Sequence, residues 1–150
     1  MDVRNALASD VWLLVGLTRA AFAETARDLP SSILKDTPDT ARQAIEQGAL
    51  LAFVNARAAG AVRYEFAKDS LHFTRLAVHP ACRGRGVATA LVDRLEALAQ
   101  TRRLHVRCSA RSKRPDRRGF YLRRGYRIEG YEDVYGIAQL KTHLIKDAQT

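Results

Sequence analysis

Cysteine is scarce in this sequence: Cys82 and Cys108 are the only two. That excludes a small secreted scaffold held by a disulfide framework and leads us to expect a reducing, cytoplasmic setting. No other Cys or His stands at ligand spacing from either, so no metal site is expected. Long hydrophobic runs are missing as well. Nothing approaches the roughly 18 apolar residues of a membrane span, so no membrane partner is expected. Val11–Leu17 followed by Ala21-Phe22-Ala23 imitates a secretory signal, but Asp2 and Asp10 sit where basic residues belong. An amphipathic helix is the better reading. Repeats, low-complexity tracts and linkers are also absent, which leaves no boundary within residues 1–150. A single domain is expected, long enough to bury about 70% of its unfolded surface.

Acidic residues are thin in one half. Residues 1–82 balance nine Lys/Arg against nine Asp/Glu, whereas 83–150 carry sixteen against seven, the whole of the +9 net charge. Arg102–Arg127 holds eleven basic residues and a single acid, Asp116. Such a block suits a polyanion, either a phosphate-rich small molecule or a nucleic acid, or it is a solvated basic face.

Taken in order, the chain alternates between two periodicities. Met1–Asn5 reads as an edge strand. Ser9 offers an N-cap to a first helix with Val11, Leu14, Val15, Thr18 and Phe22 on its buried stripe. Gly16 inside it costs about 1 kcal/mol relative to Ala and suggests close packing. Arg27–Lys35, with Pro30-Ser31-Ser32, is a loop. Thr37-Pro38-Asp39 opens a second helix that Gly48 ends. Ala49–Asn55 and Ala58–Phe66 read as strands turning at Ala56-Arg57, and Gly60 marks a bulge or a close backbone approach. Lys68-Asp69-Ser70 turns into the strand Leu71–Val78, which closes at His79-Pro80.

Val87, Leu91, Leu95 and Leu98 recur at helical spacing, widened by Ala88, Val92 and Ala99. A strand follows at Leu104–Cys108, reached by a right-handed crossover. Arg111–Arg114 is a basic loop, and Pro115-Asp116 opens a short helix running to Arg124 and closed by Gly125. Tyr126–Tyr131 and Gly136–Lys146 make a closing pair of strands. The order is β-α-α-β-β-β-α-β-α-β-β.

The centre of the chain is Arg83-Gly84-Arg85-Gly86-Val87-Ala88, between the strand Leu71–Val78 and the long helix. Glycines there bring bare backbone N–H groups to the positive end of a helix dipole, and Arg83 and Arg85 add full charges, so the loop reads as a phosphate or pyrophosphate site. A Walker loop is excluded, because no Gly-Lys-Ser/Thr ends the run. Gly84-x-Gly86-x-x-Thr89 nearly fits a dinucleotide fingerprint. However, Pro80-Ala81-Cys82-Arg83 separates it from the strand, and the next strand offers Val106-Arg107 instead of an acid. Cys82, beside the loop, is a small filler residue or a reactive thiol.

What remains, Arg-x-x-Gly-x-Ala after Arg75-Leu76-Ala77-Val78-His79-Pro80, resembles the acetyl-CoA signature of the GNAT superfamily of N-acyltransferases. The resemblance is strong over Leu71–Gln100 and traceable over nearly the whole chain. It implies an α/β (α+β) fold, a mixed and mostly antiparallel sheet of six to seven strands flanked by about four helices and splayed between the fourth and fifth strands. It also implies acetyl-CoA as co-substrate. The pantetheine arm would pair with the fourth strand at Leu76, Ala77 and Val78, and the loop amides of Arg83, Gly84, Arg85, Gly86, Val87, Ala88 and Thr89 would hold the pyrophosphate. The activity implied is acetyl transfer to a primary amine of a small molecule. A protein N-terminus or lysine is the alternative within the fold, and a nucleic-acid- or ribosome-binding module is the competing class. The acceptor is not identified, and a homodimer stays open.

Acyl transfer to an amine needs a neutral nitrogen, a stabilised oxyanion and a partner for the departing thiolate. In Phe120-Tyr121-Leu122-Arg123-Arg124-Gly125-Tyr126, Tyr121 falls where the resemblance implies a tyrosine serving the thiolate. Arg114 and Arg117 stand where relatives often carry Asn or Ser and a small residue. A phenol near pKa 10 donating its proton to a thiolate near 8.5 runs about 2 kcal/mol uphill, so Tyr121 is expected to act as a hydrogen-bond donor. Backbone N–H near Val78 would meet the oxyanion. For the base, His72, Glu65 and Asp69 lie on or near the third and fourth strands. Simple alternation puts His72 on one face with Thr74, Leu76 and Val78, an arrangement that a bulge would reverse. The acceptor would meet Arg27–Lys35 and the Val134–Ile137 connection.

Overall fold

The computed structural model describes residues 1–23, 36–111, 117–134 and 139–149. Seven strands lie in the order β1-β2-β3-β4-β5-β7-β6. They are β1 (Asp2–Asn5), β2 (Ala49–Val54), β3 (Arg57–Phe66), β4 (Ser70–Val78), β5 (His105–Arg111), β6 (Arg127–Val134) and β7 (Gln139–Lys146). The helices are α1 (Val11–Phe22), α2 (Pro38–Gln47), α3 (Val87–Thr101) and α4 (Arg118–Arg123). The element order and the mixed sheet are those expected from the sequence. β4 and β5 run parallel, and the β1/β2, β2/β3, β5/β7 and β6/β7 pairs are antiparallel. Two compact units emerge, one of Met1–Glu65 with Phe73–Glu96 and one of Phe66–His72 with Ala97–Thr150.

In the first unit, Val11, Leu14, Val15 and Leu17 of α1 and Ala41 and Ala44 of α2 pack with Ala49, Leu51 and Ala61 of the sheet. The cap of α1 differs from expectation. Ser9 is exposed inside a 3-10 turn, and Asp10 precedes the helix. The Asp10 carboxylate makes no cap bond to α1; it accepts from Leu7 N–H at 2.7 Å and from Arg4 at 2.7 Å and so closes the preceding 3-10 turn. The hydrogen bond from Arg4, opposed by burial, holds that carboxyl below its usual range. Gly16 is exposed, and a Cβ there would meet nothing within 4 Å, so it packs closely against nothing. At α2, Thr37 accepts from Thr40 N–H at 3.3 Å, Pro38 begins the first turn, and Gly48 terminates the helix by donating to Ala44 O at 2.7 Å.

The β2–β3 turn falls at Asn55 (φ 51°) and Ala56 (φ 66°), one residue before the expected position, because the ladder closes with Val54 opposite Arg57. Two consecutive left-handed residues match the twist of a two-residue hairpin. Gly60 does both things its position suggests. The register passes from Ala52↔Gly60 to Phe53↔Ala58, which leaves Ala59 as the extra residue of a bulge. A Cβ on Gly60 would stand 2.6 Å from Val87 Cγ1 and 2.9 Å from Ala77 O. The start of α3 therefore rests directly on bare backbone.

In the second unit, β5 pairs with β7 from Val106↔Lys146 to Arg111↔Lys141, extending the expected Leu104–Cys108 strand. β6 continues past Tyr131 to Val134. Of the segment Gly136–Lys146, the described strand begins at Gln139. Arg107 ties the unit together, with Asp69 at 2.8 Å and Glu129 at 3.0 Å. The α4 turn closes at Gly125 (φ 93°), as its sequence implied, and starts at Arg118. Pro115-Asp116, residues 112–114 of the basic loop, residues 135–137 and the whole of Arg27–Lys35, including Pro30-Ser31-Ser32, lie outside the described residues. No described helix is long and apolar enough to cross a membrane.

Candidate active site

The loop after β4 is assembled by backbone and by one imidazole. His79 donates its N–H to Ala59 O at 2.8 Å, the carbonyl that the β3 bulge frees for this contact. Its Nδ1 accepts from Ala81 N–H at 3.1 Å, and its carbonyl accepts from Cys82 N–H at 2.8 Å. This 3-10 turn, Pro80–Cys82, carries the chain away from the strand before the glycines. Gly84 (φ 77°) and Gly86 (φ 80°) are both left-handed, which L side chains adopt at a cost of about 1–2 kcal/mol. A Cβ on either would touch nothing within 4 Å. Glycine is required there for conformation, and the space beside it is open.

α3 starts immediately beyond, with Ala90 N–H on Gly86 O at 3.0 Å. The N–H groups of Val87, Ala88 and Thr89 precede the first intrahelical bond and point out of the helix end. Arg83, Gly84, Arg85, Gly86 and Thr89 are exposed, Ala88 is half-buried and Val87 is buried. Val87 can therefore offer its amide and not its side chain. Arg83 also donates to Ala21 O at 3.2 Å, tying the loop to the last turn of α1.

Leu76, Ala77 and Val78 are all buried. Alternation along β4 breaks just before them: Arg75 has φ 53°, Thr74 is exposed and His72 half-buried. The simple alternation of His72, Thr74, Leu76 and Val78 is interrupted at Arg75, whose left-handed φ breaks the extended backbone between them. His72 pairs in register with Arg107 of β5. Glu65 is exposed near the end of β3 and belongs to the first unit, while His72 and Tyr121 belong to the second. Asp69 is engaged: the hydrogen bond from Arg107 holds its carboxyl below the usual range, against partial desolvation, which makes it a weak base.

Tyr121 is buried, with its ring edge-on to Phe120 at 5.2 Å and tilted to Tyr126 at 5.4 Å. Burial pushes its phenol well above the ordinary value of 10.0. Cys108 adds to the rise, and Arg117, which hydrogen-bonds the phenol, and Arg124 oppose it without cancelling it. A neutral hydroxyl at that site can donate a hydrogen bond but resists giving up its proton. The sequence of β5 gives no sign that Cys108 stands near Tyr121, because nothing in a strand marks which neighbour a residue faces.

Sequence reasoning also misses a buried ion cluster in the first unit. Asp36 is fully buried and accepts from Arg63 at 2.6 Å, Arg75 at 3.2 Å and Thr40 Oγ1 at 2.7 Å. Burial pushes its carboxyl up, but the hydrogen bonds from Arg63 and Thr40 and the charges of Arg63 and Arg75 hold it below the usual range. Arg19 donates to the Asp36 carbonyl at 2.8 Å, and Arg63 also reaches Thr18 Oγ1 at 3.3 Å.

Residues 44–128, more than half of the chain, match the model of the acetyltransferase (GNAT) domain. No curated protein sequence matches the chain. Among solved structures, smu.2055 from Streptococcus mutans UA159 superposes with TM-score 0.83 at 20% identity, covering 99% of this chain and 100% of that one. An aminoglycoside 6′-N-acetyltransferase complexed with coenzyme A superposes with TM-score 0.77 at 14% identity, covering 97% and 96%. The ribosomal-protein-S18-alanine N-acetyltransferase from Escherichia coli gives TM-score 0.81 at 14% identity, covering 99% and 94%. The glycine loop at the head of α3, the order of strands and the family match agree: this chain belongs to the GNAT acetyltransferase family and is an acyltransferase.

Proposed function

We propose that the protein transfers the acetyl group of acetyl-CoA directly to a primary amine of a small molecule, acting as one catalytic domain. The observation that carries this reading is the left-handed pair Gly84 and Gly86 at the open N-terminus of α3, directly after the buried Leu76-Ala77-Val78 end of β4. In this reading the amides from Arg83 to Thr89 hold the CoA pyrophosphate, with the helix dipole and the Arg83 and Arg85 charges in support. The pantetheine lies along Leu76–Val78.

The amine nitrogen attacks the thioester carbonyl, a backbone N–H near Val78 meets the oxyanion, and the C–S bond breaks to release CoA thiolate. Tyr121 donates a hydrogen bond to that sulfur. An alkyl ammonium with pKa about 10.4 is almost entirely protonated at pH 7, so the acceptor must lose a proton before attack. We assign that step to His72 through a water, with Glu65 as the second candidate. Loss of an acidic limb from the kcat/KM profile in His72→Gln or in Glu65→Gln would identify the base, and an unchanged profile in both would remove the two.

The small-molecule acceptor is supported by the likeness to the aminoglycoside enzyme. The likeness to the ribosomal-protein enzyme favours a protein N-terminus as the second reading. A thiol-release screen of acetyl-CoA with amines, polyamines, amino acids, aminoglycosides and peptides separates them. Release with a small amine and a matching N-acetylated product supports the first. Release confined to peptides would transfer the activity to protein N-termini, and no release with any acceptor would overturn both.

A further inference from the structure

The two ends of the glycine loop rest on neighbouring residues of β3. At its start, His79 donates its N–H to Ala59 O at 2.8 Å. At its end, Val87 lies against Gly60, where a Cβ would come within 2.6 Å of Val87 Cγ1. All four residues belong to the first unit. Between these anchors the chain turns at Pro80–Cys82, outside any strand ladder, and a side chain holds the turn. His79 Nδ1 accepts from Ala81 N–H at 3.1 Å, while the His79 carbonyl accepts from Cys82 N–H at 2.8 Å. An imidazole that accepts at Nδ1 carries its hydrogen on Nε2.

The amides assigned to the pyrophosphate, Arg83 to Thr89, begin immediately after this turn, so the direction in which the chain leaves Cys82 sets where they start. Arg83, Gly84, Arg85 and Gly86 are exposed, and the space beside both glycines is open, so buried contacts contribute little to the path of the loop. Resting on the acetyl-CoA reading above, we infer that His79 is a positioning residue for acetyl-CoA: its Nδ1 acceptor holds the Pro80–Cys82 turn before the ligand arrives, so that the loop amides meet the pyrophosphate already in place. Without that acceptor the same bound loop can still form, but binding then carries the cost of ordering it. The loss falls on acetyl-CoA affinity and spares the chemical step.

Three substitutions separate the two ring nitrogens from the bulk of the side chain. His79→Asn places an amide oxygen as many bonds from Cα as Nδ1, His79→Leu places a methyl group there, and His79→Gln places its amide oxygen one bond farther, as Nε2 is. Titration calorimetry with acetyl-CoA should give the Asn variant wild-type affinity within about twofold, and the Leu and Gln variants binding about three- to tenfold weaker, the scale of one hydrogen bond between neutral groups. Stoichiometry should stay the same in all four proteins, which separates lost affinity from lost folded chain. In thiol release with a good acceptor, KM for acetyl-CoA should rise with Kd in the Leu and Gln variants while kcat at saturation holds within about twofold.

Wild-type affinity in His79→Leu, an Asn variant as weak as the Leu variant, or rescue by Gln would each overturn the acceptor role of Nδ1. So would a fall in kcat at unchanged affinity. A wild type that binds no acetyl-CoA would sink the reading of the loop and this inference with it, whereas tight binding that is equal in all four proteins would sink the inference alone.

Discussion

Replacing Tyr121 by Phe removes one oxygen from the second unit and little else. The ring is 2% exposed and keeps its contacts to Phe120 and Tyr126 in the variant. What disappears is the donor proposed for the departing thiolate. A hydrogen bond to a charged group is worth about 1.5–3 kcal/mol, and at about 1.4 kcal/mol per decade this predicts a fall in kcat of about 10–150-fold. Because the sulfur is neutral in the bound thioester, acetyl-CoA affinity should hold within about threefold.

The phenol also leaves a trace in alkaline stability. Burial raises its pKa in the folded state above the ordinary 10.0, so the folded chain keeps a proton that the unfolded chain gives up. That contribution is fully present below about pH 10 and is lost as pH rises beyond it. Tyr121→Phe should therefore flatten the loss of stability above pH 10 in urea melts, while losing about 1–3 kcal/mol near neutrality because Arg117 no longer has its phenol oxygen. Steady-state kinetics with a good acceptor decide the catalytic part. Wild-type turnover in the Phe variant, or a basic limb near pH 10 in wild-type kcat that vanishes with the hydroxyl, would refute the donor reasoning.

Gly86→Asp should abolish measurable acetyl-CoA binding by calorimetry. Gly86→Ala should carry the same left-handed strain of about 1–2 kcal/mol without the carboxylate and retain most of the affinity. Equal affinities in the two would move the pyrophosphate elsewhere. Gly16→Ala, exposed on α1 with open space at its Cβ, should stabilise the fold by about 0.5–1 kcal/mol in urea titration, and any destabilisation would contradict the open surface. Asp36→Asn should cost about 3–5 kcal/mol by removing the buried carboxylate that Arg63 and Arg75 share. With its carboxyl held low in the folded state, Asp36 contributes stability that is present above about pH 4 and lost as pH falls below it. The Asp36→Asn variant should lack that acid-side loss, and parallel curves from pH 3 to 7 would show that Asp36 is not held low.

Much of the fold was legible because its signals are local. The stripe Val87, Leu91, Leu95 marks α3, Thr37-Pro38-Asp39 marks the start of α2, and Gly84 and Gly86 mark two left-handed residues, all recoverable within a turn or two of chain. The failures share the opposite property. Ser9 and Asp10 are equally good caps by residue type, and the bonds from Arg4 on β1 and Leu7 N–H to the Asp10 carboxylate fix where the helix begins. Alternation predicts one face for His72 and Val78, and the φ of Arg75 that breaks it accompanies a partner 39 residues away, Asp36. Asn55 reads as the last residue of an apolar strand, although Asn is among the few residues that enter the left-handed region readily. Asp36 itself carries no sequence pattern at all, since its partners at 63 and 75 are fixed only by packing.

The separation between Asp36 and its partners also governs how the chain can fold as it is made. Arg63 lies 27 residues after Asp36 and Arg75 lies 39 after it, so the carboxylate leaves the ribosome well before either guanidinium. At about 5–20 residues per second, the wait for Arg75 is about 2–8 s. Until Arg63 has emerged, an ionised Asp36 lacks the guanidinium that meets it at 2.6 Å, and its burial is costly. α1 and α2 can form as helices, but the part of α2 next to Asp36 settles onto the sheet only once β3, which carries Arg63, has emerged. The nascent N-terminal third therefore presents its apolar stripe, Leu14, Val15 and Leu17, to water or to a chaperone until β2 and β3, which carry Ala49, Leu51 and Ala61, have emerged with Arg63.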